Sequence, residues 1–435
     1  MALQSEFLQV SLILILAAFS IPIARKISVA EVPILIILGL IFGPMTGIIK
    51  ASYASYLMVY YASVGLGILG IVIVLYAESH KIDFRIVRKE FARIASLDTL
   101  GMVMTIVLVA FFFSFLTHAP LIIGFLFGAI ISPTDPVTII PIFRRLKVKE
   151  EIYGIVLGES LFNDPVSIIS VTLFIALIVP GSTYSPLFNS LNTFFGLIAG
   201  STVFLLMQIV IPSVIGVAVG FIILYMNKIF NFENFLLGLM LGVILLEFAV
   251  FEAVGLTPFP AIIATGAIIG NFSDKSLFWQ RESNFQDNLS FLAQSIIFIL
   301  LGAILTVQDI EKYLVLGVLV ALGIIFLARP AAVFASLTLA ELGKSRFKLD
   351  RIRKLFISFV GPRGTVTVVL STIPYAIGAS TGNPLLIEWG PVIYSVASII
   401  VLTSIIFLAL FIPLLSRKFF PEDSNGDKKP VPETN

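Results

Sequence analysis

The sequence Glu159-Ser-Leu-Phe-Asn-Asp-Pro165 places two carboxylates, an amide and a hydroxyl inside a stretch that is otherwise apolar enough to cross a bilayer. Charged groups in a membrane core are costly and rare, and where they occur they usually mark the path of an ion or a proton. Both the fold and the function of the chain therefore depend on how this acidic segment is held within the membrane.

The composition is that of a membrane protein. The 435 residues are 58% hydrophobic and 12% charged, whereas about a quarter of the residues of a soluble domain are charged. There is no cysteine, which excludes disulfides, thiolate metal sites and thiol catalysis, and the two histidines are too few for a histidine-based metal site. The chemistry is therefore left to carboxylates, hydroxyls and main-chain groups.

The apolar segments predict an all-α polytopic membrane protein. A span needs ~20 mostly apolar residues. We predict thirteen spans, near 7–24, 31–49, 56–77, 94–117, 120–143, 152–179, 193–226, 234–254, 258–272, 289–306, 312–340, 354–378 and 390–415. Of the 28 lysines and arginines, 24 lie in alternate connecting segments, which follows the positive-inside rule. This places the N-terminus outside and the C-terminus in the cytoplasm.

Two of the predicted spans look interrupted. Ser132-Pro-Thr-Asp-Pro136 lies in the fifth span and Gly361-Pro-Arg-Gly364 in the twelfth. Proline lacks an N–H, so it deprives a carbonyl of its helical partner, and such backbone is tolerated at membrane depth only where it is buried or lines a wet cavity. The breaks occupy matching places in two three-span sets, 94–179 and 312–415. Paired broken helices indicate an inverted-repeat transporter with its site near the midplane.

Oxygen-bearing side chains converge on this midplane. They are Thr134 and Asp135 at the first break, and Glu159, Ser160, Asn163 and Asp164 on two adjacent faces of the sixth span. Carboxylate, hydroxyl and carbonyl oxygens suit a hard cation such as Na⁺. Burial and a neighbouring carboxylate both favour the protonated form of a carboxyl group, so a proton and a cation would compete for the same group. That competition is the minimal chemistry of an exchanger.

Other charged residues have less specific interpretations. Glu159 could be an ion ligand or the partner of an intramembrane arginine. We expect Asp98 to be a helix-end residue and Glu247 to take a lipid-shielded or interfacial place. Glu78 and His80 end the third span, where we expect them to reach the interface by snorkelling.

Four motifs together resemble the NhaP/NHE branch of the monovalent cation:proton antiporters. They are Ser132-Pro-Thr-Asp-Pro-Val137, Glu159–Pro165, Phe326-Leu-Ala-Arg-Pro330 and Gly361–Gly364. The resemblance covers the chain to about Arg417. It implies the NhaA/NhaP-like antiporter fold, with an inverted repeat and two broken crossing helices.

The resemblance also implies a division of the chain. A transport domain, 94–180 with 312–416, would move against a dimerisation domain, 1–90 with 190–306. Residues 417–435 would form a short cytoplasmic tail.

Residue roles follow from the same resemblance. Asp164 would carry proton and cation in turn, and Asn163 would be the neutral neighbour that marks electroneutral members. Arg329 would pair with Glu159, and Arg363 would offset helix-end dipoles at the crossing. The implied Na⁺ site consists of Thr134, Asp135, Glu159, Ser160 and Asp164.

We therefore expect an electroneutral antiporter that exchanges one Na⁺ or Li⁺ for one H⁺ by alternating access. We expect it to be a homodimer in the cell membrane and to contribute to pH homeostasis. We expect no enzymatic activity, no cofactor beyond the transported ions and no nucleic-acid partner. A K⁺/H⁺ antiporter and a proton-coupled solute symporter stay open as alternatives. A cation channel is disfavoured because no TVGYG-like filter occurs, and an enzyme because neither G-x-S-x-G nor H-E-x-x-H occurs.

Overall fold

The structure is a computed structural model that describes residues 2–27, 31–59, 65–135, 143, 148, 150–180, 184–232, 235–274, 276–342 and 348–419. Within them all regular structure is helical. The helices are α1 (Ala2–Ile27), α2 (Glu31–Leu40), α3 (Ala51–Val59), α4 (Leu66–His80), α5 (Phe84–Ser96), α6 (Met102–Thr117), α7 (Leu121–Ile131), α8 (Glu150–Ile178), α9 (Ser185–Phe195), α10 (Leu197–Phe230), α11 (Leu236–Ala253), α12 (Phe259–Phe272), α13 (Leu277–Ile304), α14 (Val307–Gly323), α15 (Arg329–Ala340), α16 (Arg351–Phe359), α17 (Thr365–Thr381) and α18 (Pro384–Phe419).

Three π-helical turns extend or join these helices. They are Ile41–Met45 after α2, Leu97–Gly101 between α5 and α6, and Ile324–Ala328 between α14 and α15. The last two make α5–α6 and α14–α15 continuous helices over residues 84–117 and 307–340. Turns of this kind are rare and often lie at functional sites.

Membrane-spanning helices dominate the described residues. Seven of these helices are long and apolar enough to cross a bilayer, and six shorter apolar helices accompany them. This agrees with the predicted all-α polytopic membrane protein. The number of crossings, and which end of the chain faces the cytoplasm, stay predictions.

Several predicted span boundaries were wrong, and glycine or proline explains each difference. The predicted span 56–77 is not one helix, because α3 ends at Val59 and Gly65, at φ +73°, precedes a new helix that runs to His80. The predicted span 120–143 loses its helical form after Ile131, at the interruption that Pro133 predicts. Gly196, at φ +77°, separates α9 from α10. A positive φ costs glycine little, so these residues let the chain turn between helices.

Helix packing separates two groups. One contains α5–α8 and α14–α18, and the other contains α1–α4 and α10–α13. In the second group the helices approach to backbone contact, with Gly39 against Gly302 and Gly216 against Ala261. Small residues permit such close packing in membranes. The predicted division into a transport domain and a dimerisation domain, and their relative movement, stay predictions.

A cluster of six charged residues joins four helices of the first group. Its members are Glu90 and Arg93 on α5, Glu151 on α8, Glu341 directly after α15, and Arg353 and Lys354 on α16. The Arg93 guanidinium lies 2.6 Å from Glu90, 2.8 Å from Glu151 and 3.2 Å from Glu341, and it is 7% exposed. Lys354 Nζ reaches the other oxygen of Glu341 at 2.8 Å. Arg93 is therefore the centre of the cluster.

We expect Arg93→Ala to destabilise the protein by about 3–5 kcal/mol, because it leaves buried carboxylates without their central counter-charge. Arg93→Lys should recover part of the loss, since an ammonium keeps the charge but lacks the guanidinium fork. Thermal unfolding of the purified protein in detergent measures the effect.

Arg85→Ala is the matched control on the same helix. Its ion pair with Asp83 is 2.8 Å long, but the arginine side chain is 91% exposed, and exposed pairs contribute only ~0–1 kcal/mol. Equal losses for Arg85→Ala and Arg93→Ala would contradict the assignment of Arg93 as the centre.

Candidate functional site

Two interrupted helices cross at the centre of the first group. The chain has no regular secondary structure from Ser132 to Asp135 after α7, nor from Val360 to Gly364 between α16 and α17. The Asp135 N–H donates to the Pro362 carbonyl at 2.9 Å. The predicted pair of broken crossing helices is therefore confirmed, and a main-chain hydrogen bond joins the two breaks. Pro136 and Val137 of the first motif lie outside the described residues.

The prolines free backbone groups at the first break, and α8 supplies their new partners. Pro133 leaves the Ala129 carbonyl without a helical donor, and the hydroxyls of Ser167 and Ser132 donate to it at 2.7 and 2.9 Å. Buried backbone groups are nearly always paired in this way. The break is therefore held in place by hydroxyl groups rather than left as an open gap.

Asn163 and Ser160 fix the threonine of the break. The Asn163 amide donates to Thr134 Oγ1 at 2.8 Å and accepts from the Thr134 N–H at 3.3 Å. Ser160 Oγ lies 3.0 Å from Thr134 Oγ1. All three side chains are at most 2% exposed. The spacing of Ser160 and Asn163 on α8 thus brings both residues to the first break, as the sequence predicts.

Three carboxylates line a small cavity beside the crossing. They belong to Asp164 on α8, Asp135 at the first break and Glu78 on α4. Hydroxyl-bearing residues complete the wall: Thr134, Thr365 and Thr367. Thr367 Oγ1 is buried without a hydrogen-bond partner in the described part of the chain. The cavity therefore presents the hard oxygen ligands that suit a monovalent cation.

Glu78 is the cavity residue that the sequence missed. We expected it to snorkel to the interface, but it points into the cavity with Asp135 and Asp164, and its Oε2 is shielded from solvent. Tyr76 and His80 occupy the opposite face of α4, where both approach Glu282 on α13. One face of α4 therefore contacts the cavity and the other contacts α13. The signal for this in the sequence was Glu78 itself, an acidic residue at the end of an otherwise apolar helix.

Glu159 and Arg329 form a buried bidentate ion pair. The two guanidinium Nη atoms donate to both Glu159 oxygens, the second at 2.8 Å, and both residues are under 10% exposed. Glu159 is not among the cavity-lining residues. Of the two roles considered for this glutamate, the geometry favours the partner of the arginine.

Asp98 lies beside this ion pair rather than at a helix end. It occupies the π-helical turn Leu97–Gly101, is 6% exposed, and neither of its oxygens has a hydrogen-bond partner among the described residues. Glu159 and Arg329 are the charged groups that act on it most strongly. The expected helix-end position is therefore wrong, because the π turn joins α5 and α6 into one continuous helix and Asp98 lies inside it.

Arg363 is buried at the second break. Arg363 is 1% exposed. Its main-chain N–H donates to Ser404 Oγ at 3.1 Å, and its guanidinium Nη1 donates to the Gly361 carbonyl at 3.3 Å. The guanidinium thus lies against a carbonyl group of the interruption, whose partial charge is negative. Its place agrees with the role of offsetting helix-end dipoles that the resemblance implies.

Comparison with known proteins identifies the family. The model of the family described as "Sodium/hydrogen exchanger, transmembrane" matches residues 12–418. The Na⁺/H⁺ antiporter 1 of Methanocaldococcus jannaschii is 30% identical over 371 residues, which cover 83% of this chain and 81% of that protein. The K⁺/H⁺ antiporter NhaP of Alkalimonas amylolytica is 27% identical over 376 residues, 83% of this chain and 59% of that protein.

A solved structure is similar along nearly the whole chain. The sodium proton antiporter MjNhaP1 of Methanocaldococcus jannaschii, determined at pH 8, superposes with a TM-score of 0.84 at 27% identity and covers 97% of this chain and 100% of that one. The chain therefore belongs to the sodium/hydrogen exchanger family of membrane antiporters.

Proposed function

We propose that the protein exchanges one Na⁺ or Li⁺ for one H⁺ across the cell membrane by alternating access. The observation that carries this proposal is the carboxylate of Asp164 in a cavity shared with Asp135 and Glu78, at the crossing of two broken helices. Asp164 accepts no hydrogen bond from any residue in the described ranges, so its oxygens are free for a proton or a cation.

The proposed cycle uses Asp164 as the shared carrier. In one half-cycle its carboxyl group holds a proton, and in the other its carboxylate binds a cation with oxygens of Thr134, Ser160 and Asp135. The carboxyl group is neutralised in both half-cycles, so the moving domain carries the same charge each way. Because Asn163 is neutral, no second charge accompanies Asp164, and the exchange is electroneutral.

The remaining site residues have supporting roles in this proposal. Glu159 anchors Arg329 in place of ligating the ion, and Arg363 stabilises the carbonyl ends at the second break. Residues 94–180 and 312–416 move as the transport domain against 1–90 and 190–306, which also hold the homodimer together. With the N-terminus outside and the C-terminus in the cytoplasm, the exchange would contribute to pH homeostasis.

Proteoliposomes with a trapped pH-sensitive dye test the exchange. A Na⁺ pulse should move protons out of acid-loaded vesicles, Li⁺ should replace Na⁺, and a potential imposed with valinomycin and K⁺ should leave the initial rate unchanged. Absence of Na⁺-driven proton movement would refute the antiporter, and a rate that follows the potential would refute the 1:1 exchange.

K⁺/H⁺ exchange is the second candidate. A relative that covers 83% of this chain bears the name K⁺/H⁺ antiporter, and carboxylate, hydroxyl and carbonyl oxygens accept either ion. The same vesicles loaded without valinomycin and pulsed with K⁺ distinguish the two, because a faster response to K⁺ than to Na⁺ would replace the sodium assignment.

Gly364 offers a test of the cavity wall. A Cβ at this position would collide with the side chain of Asp135, so Gly364→Ala should displace a cavity carboxylate. We expect at least a tenfold slower Na⁺-driven exchange, since misplacement of a site group by about 1 Å costs ~100-fold in comparable cases. Initial rates in the dye assay measure this.

Gly238→Ala on α11 is the matched control, because its Cβ would meet no atom within 4 Å. It should keep the full exchange rate. Unaltered exchange in Gly364→Ala would show that the position of Asp135 does not limit transport.

A further inference from the structure

A second cavity lies between α10 and α11, away from the crossing. It has a volume of about 510 Å³, and its walls include Val219, Ile223, Leu239, Val243 and Phe251. α10 and α11 are consecutive helices, yet α10 packs along α12 and leaves this space beside α11. We call it the α10–α11 groove. It shares no lining residue with the cavity of Asp164.

The groove is open sideways toward the bilayer. Ile222 on α10 and Leu246 and Val250 on α11 line it and are at least 50% exposed. Such side chains at membrane depth meet lipid wherever a second copy of the chain does not cover them, and a molecule dissolved in the bilayer can enter between the two helices there. The volume lies within the ~300–1,000 Å³ of small-molecule sites, which are mostly apolar with a few placed polar groups.

One charged residue, Glu247, lines the groove. It is 6% exposed, and its Oε2 has no hydrogen-bond partner among the described residues. Its Oε1 lies 2.5 Å from Thr265 Oγ1, but that hydroxyl also lies 3.0 Å from the Gly216 carbonyl. A hydroxyl has a single hydrogen, so it cannot serve both oxygens at once. The carboxyl group is therefore incompletely satisfied.

A cation could supply the partner that Glu247 Oε2 lacks. Acidic residues within a membrane are costly and almost always have a partner or line a water-filled cavity, and neither lysine, arginine nor histidine lines the groove in the described part of the chain. The apolar walls favour a ligand with an apolar chain, and the unpaired Oε2 of Glu247 favours a hydrogen-bond donor at one end of that chain. An ammonium group satisfies both the charge and the hydrogen bond.

We propose that the α10–α11 groove binds a lipophilic amine from the bilayer, with its ammonium group donating to Glu247 Oε2. A fatty acid of the same length would place a second carboxylate beside Glu247. A neutral alkyl chain would fill the groove but leave Oε2 unpaired. This site is independent of the ion path, so its occupation does not depend on the transport of Na⁺.

Photo-crosslinking tests the site directly. The protein in nanodiscs of zwitterionic lipid is exposed to an alkylamine that carries a diazirine, and to the alcohol and the carboxylic acid of the same chain length. The labelled residues are then mapped by mass spectrometry. The amine should label the groove at least tenfold more than the alcohol or the acid, and unlabelled dodecylamine should compete.

Variants of groove residues distinguish the contribution of the Glu247 carboxylate to probe binding from that of the apolar walls. Glu247→Gln should reduce labelling by the amine about tenfold, the order of one charge-assisted hydrogen bond, and leave labelling by the alcohol unchanged. Glu252→Gln is the matched control, because Glu252 lies on α11 outside the groove and accepts from Tyr184 at 2.8 Å. Val243→Trp should fill the groove and exclude all three probes while it keeps the carboxylate.

Three outcomes would overturn the proposal. Equal labelling by amine and alcohol would make the groove a site for lipid chains only. Amine labelling that persists in Glu247→Gln would remove the carboxylate from the site. Crosslinks that join α11 of two protomers in place of probe labelling would show that a second copy of the chain covers the groove.

Discussion

Asp164→Asn is expected to reduce Na⁺-driven proton movement to the level of protein-free vesicles. The amide has nearly the shape of a protonated carboxyl group, but it neither releases a proton nor binds a cation with a negative charge. Asp164 lines the cavity at 5% exposure, so the variant removes a buried charge without making a hole. The protein should therefore fold normally while exchange is lost.

The dye assay in proteoliposomes measures this loss, and an unfolding temperature at least as high as that of the parent shows that the fold is intact. Glu252→Gln serves as the control, because that carboxylate lies on α11 and pairs with Tyr184 outside the cavity. Exchange that persists in Asp164→Asn would assign the carrier role to another carboxylate, with Glu78 and Asp135 as the candidates in the same cavity.

Arg329→Ala is expected to destabilise the protein by about 3–5 kcal/mol. Its removal leaves Glu159 as an uncompensated carboxylate that is 2% exposed, and breaking a buried pair in this way costs that much. Asp98, whose oxygens have no hydrogen-bond partner among the described residues, loses the attraction of this cation at the same time. The effect should appear as a large drop in the unfolding temperature in detergent.

A double variant tests whether Glu159 and Arg329 act as a pair. Glu159→Gln combined with Arg329→Met removes both charges with little change of volume, and replacement of a buried pair by neutral groups is often close to neutral. The double variant should therefore be more stable than Arg329→Ala. If it is less stable, the two residues do not act as a pair, and Glu159 regains its place as an ion ligand.

The sequence predicted the centre of the site well because proline and charge are strong signals in an apolar chain. Pro133 marked the first break, and the spacing of Ser160 and Asn163 on one helix placed both beside Thr134. The pair of Glu159 with Arg329 came from the family resemblance, since 170 residues separate the partners. The exchange cycle built on these residues stays a proposal.

The misses have a common physical cause: the sequence does not show which way an apolar helix faces. The helix of Glu78 is buried on several sides, so no polar stripe indicated that this residue points toward Asp164. The π turn at Asp98 rotates that carboxyl group inward, and an extra residue in a helical turn leaves no distinctive pattern. Glu247 was expected in a lipid-shielded or interfacial place, and its carboxyl group is indeed buried, but that burial depends on the packing of α10 against α12, which the sequence does not show.

The hydrogen bond between the Asp135 amide and the Pro362 carbonyl has a consequence for how such a protein can diversify. A link made by the main chain does not depend on which side chains stand at either position. Substitutions of side chains at the crossing can therefore alter which ion is preferred, while the main-chain hydrogen bond still links the two halves of the repeat. In the proposed alternating-access cycle, ion preference and the transmission of movement would thus be separately adjustable properties of one crossing.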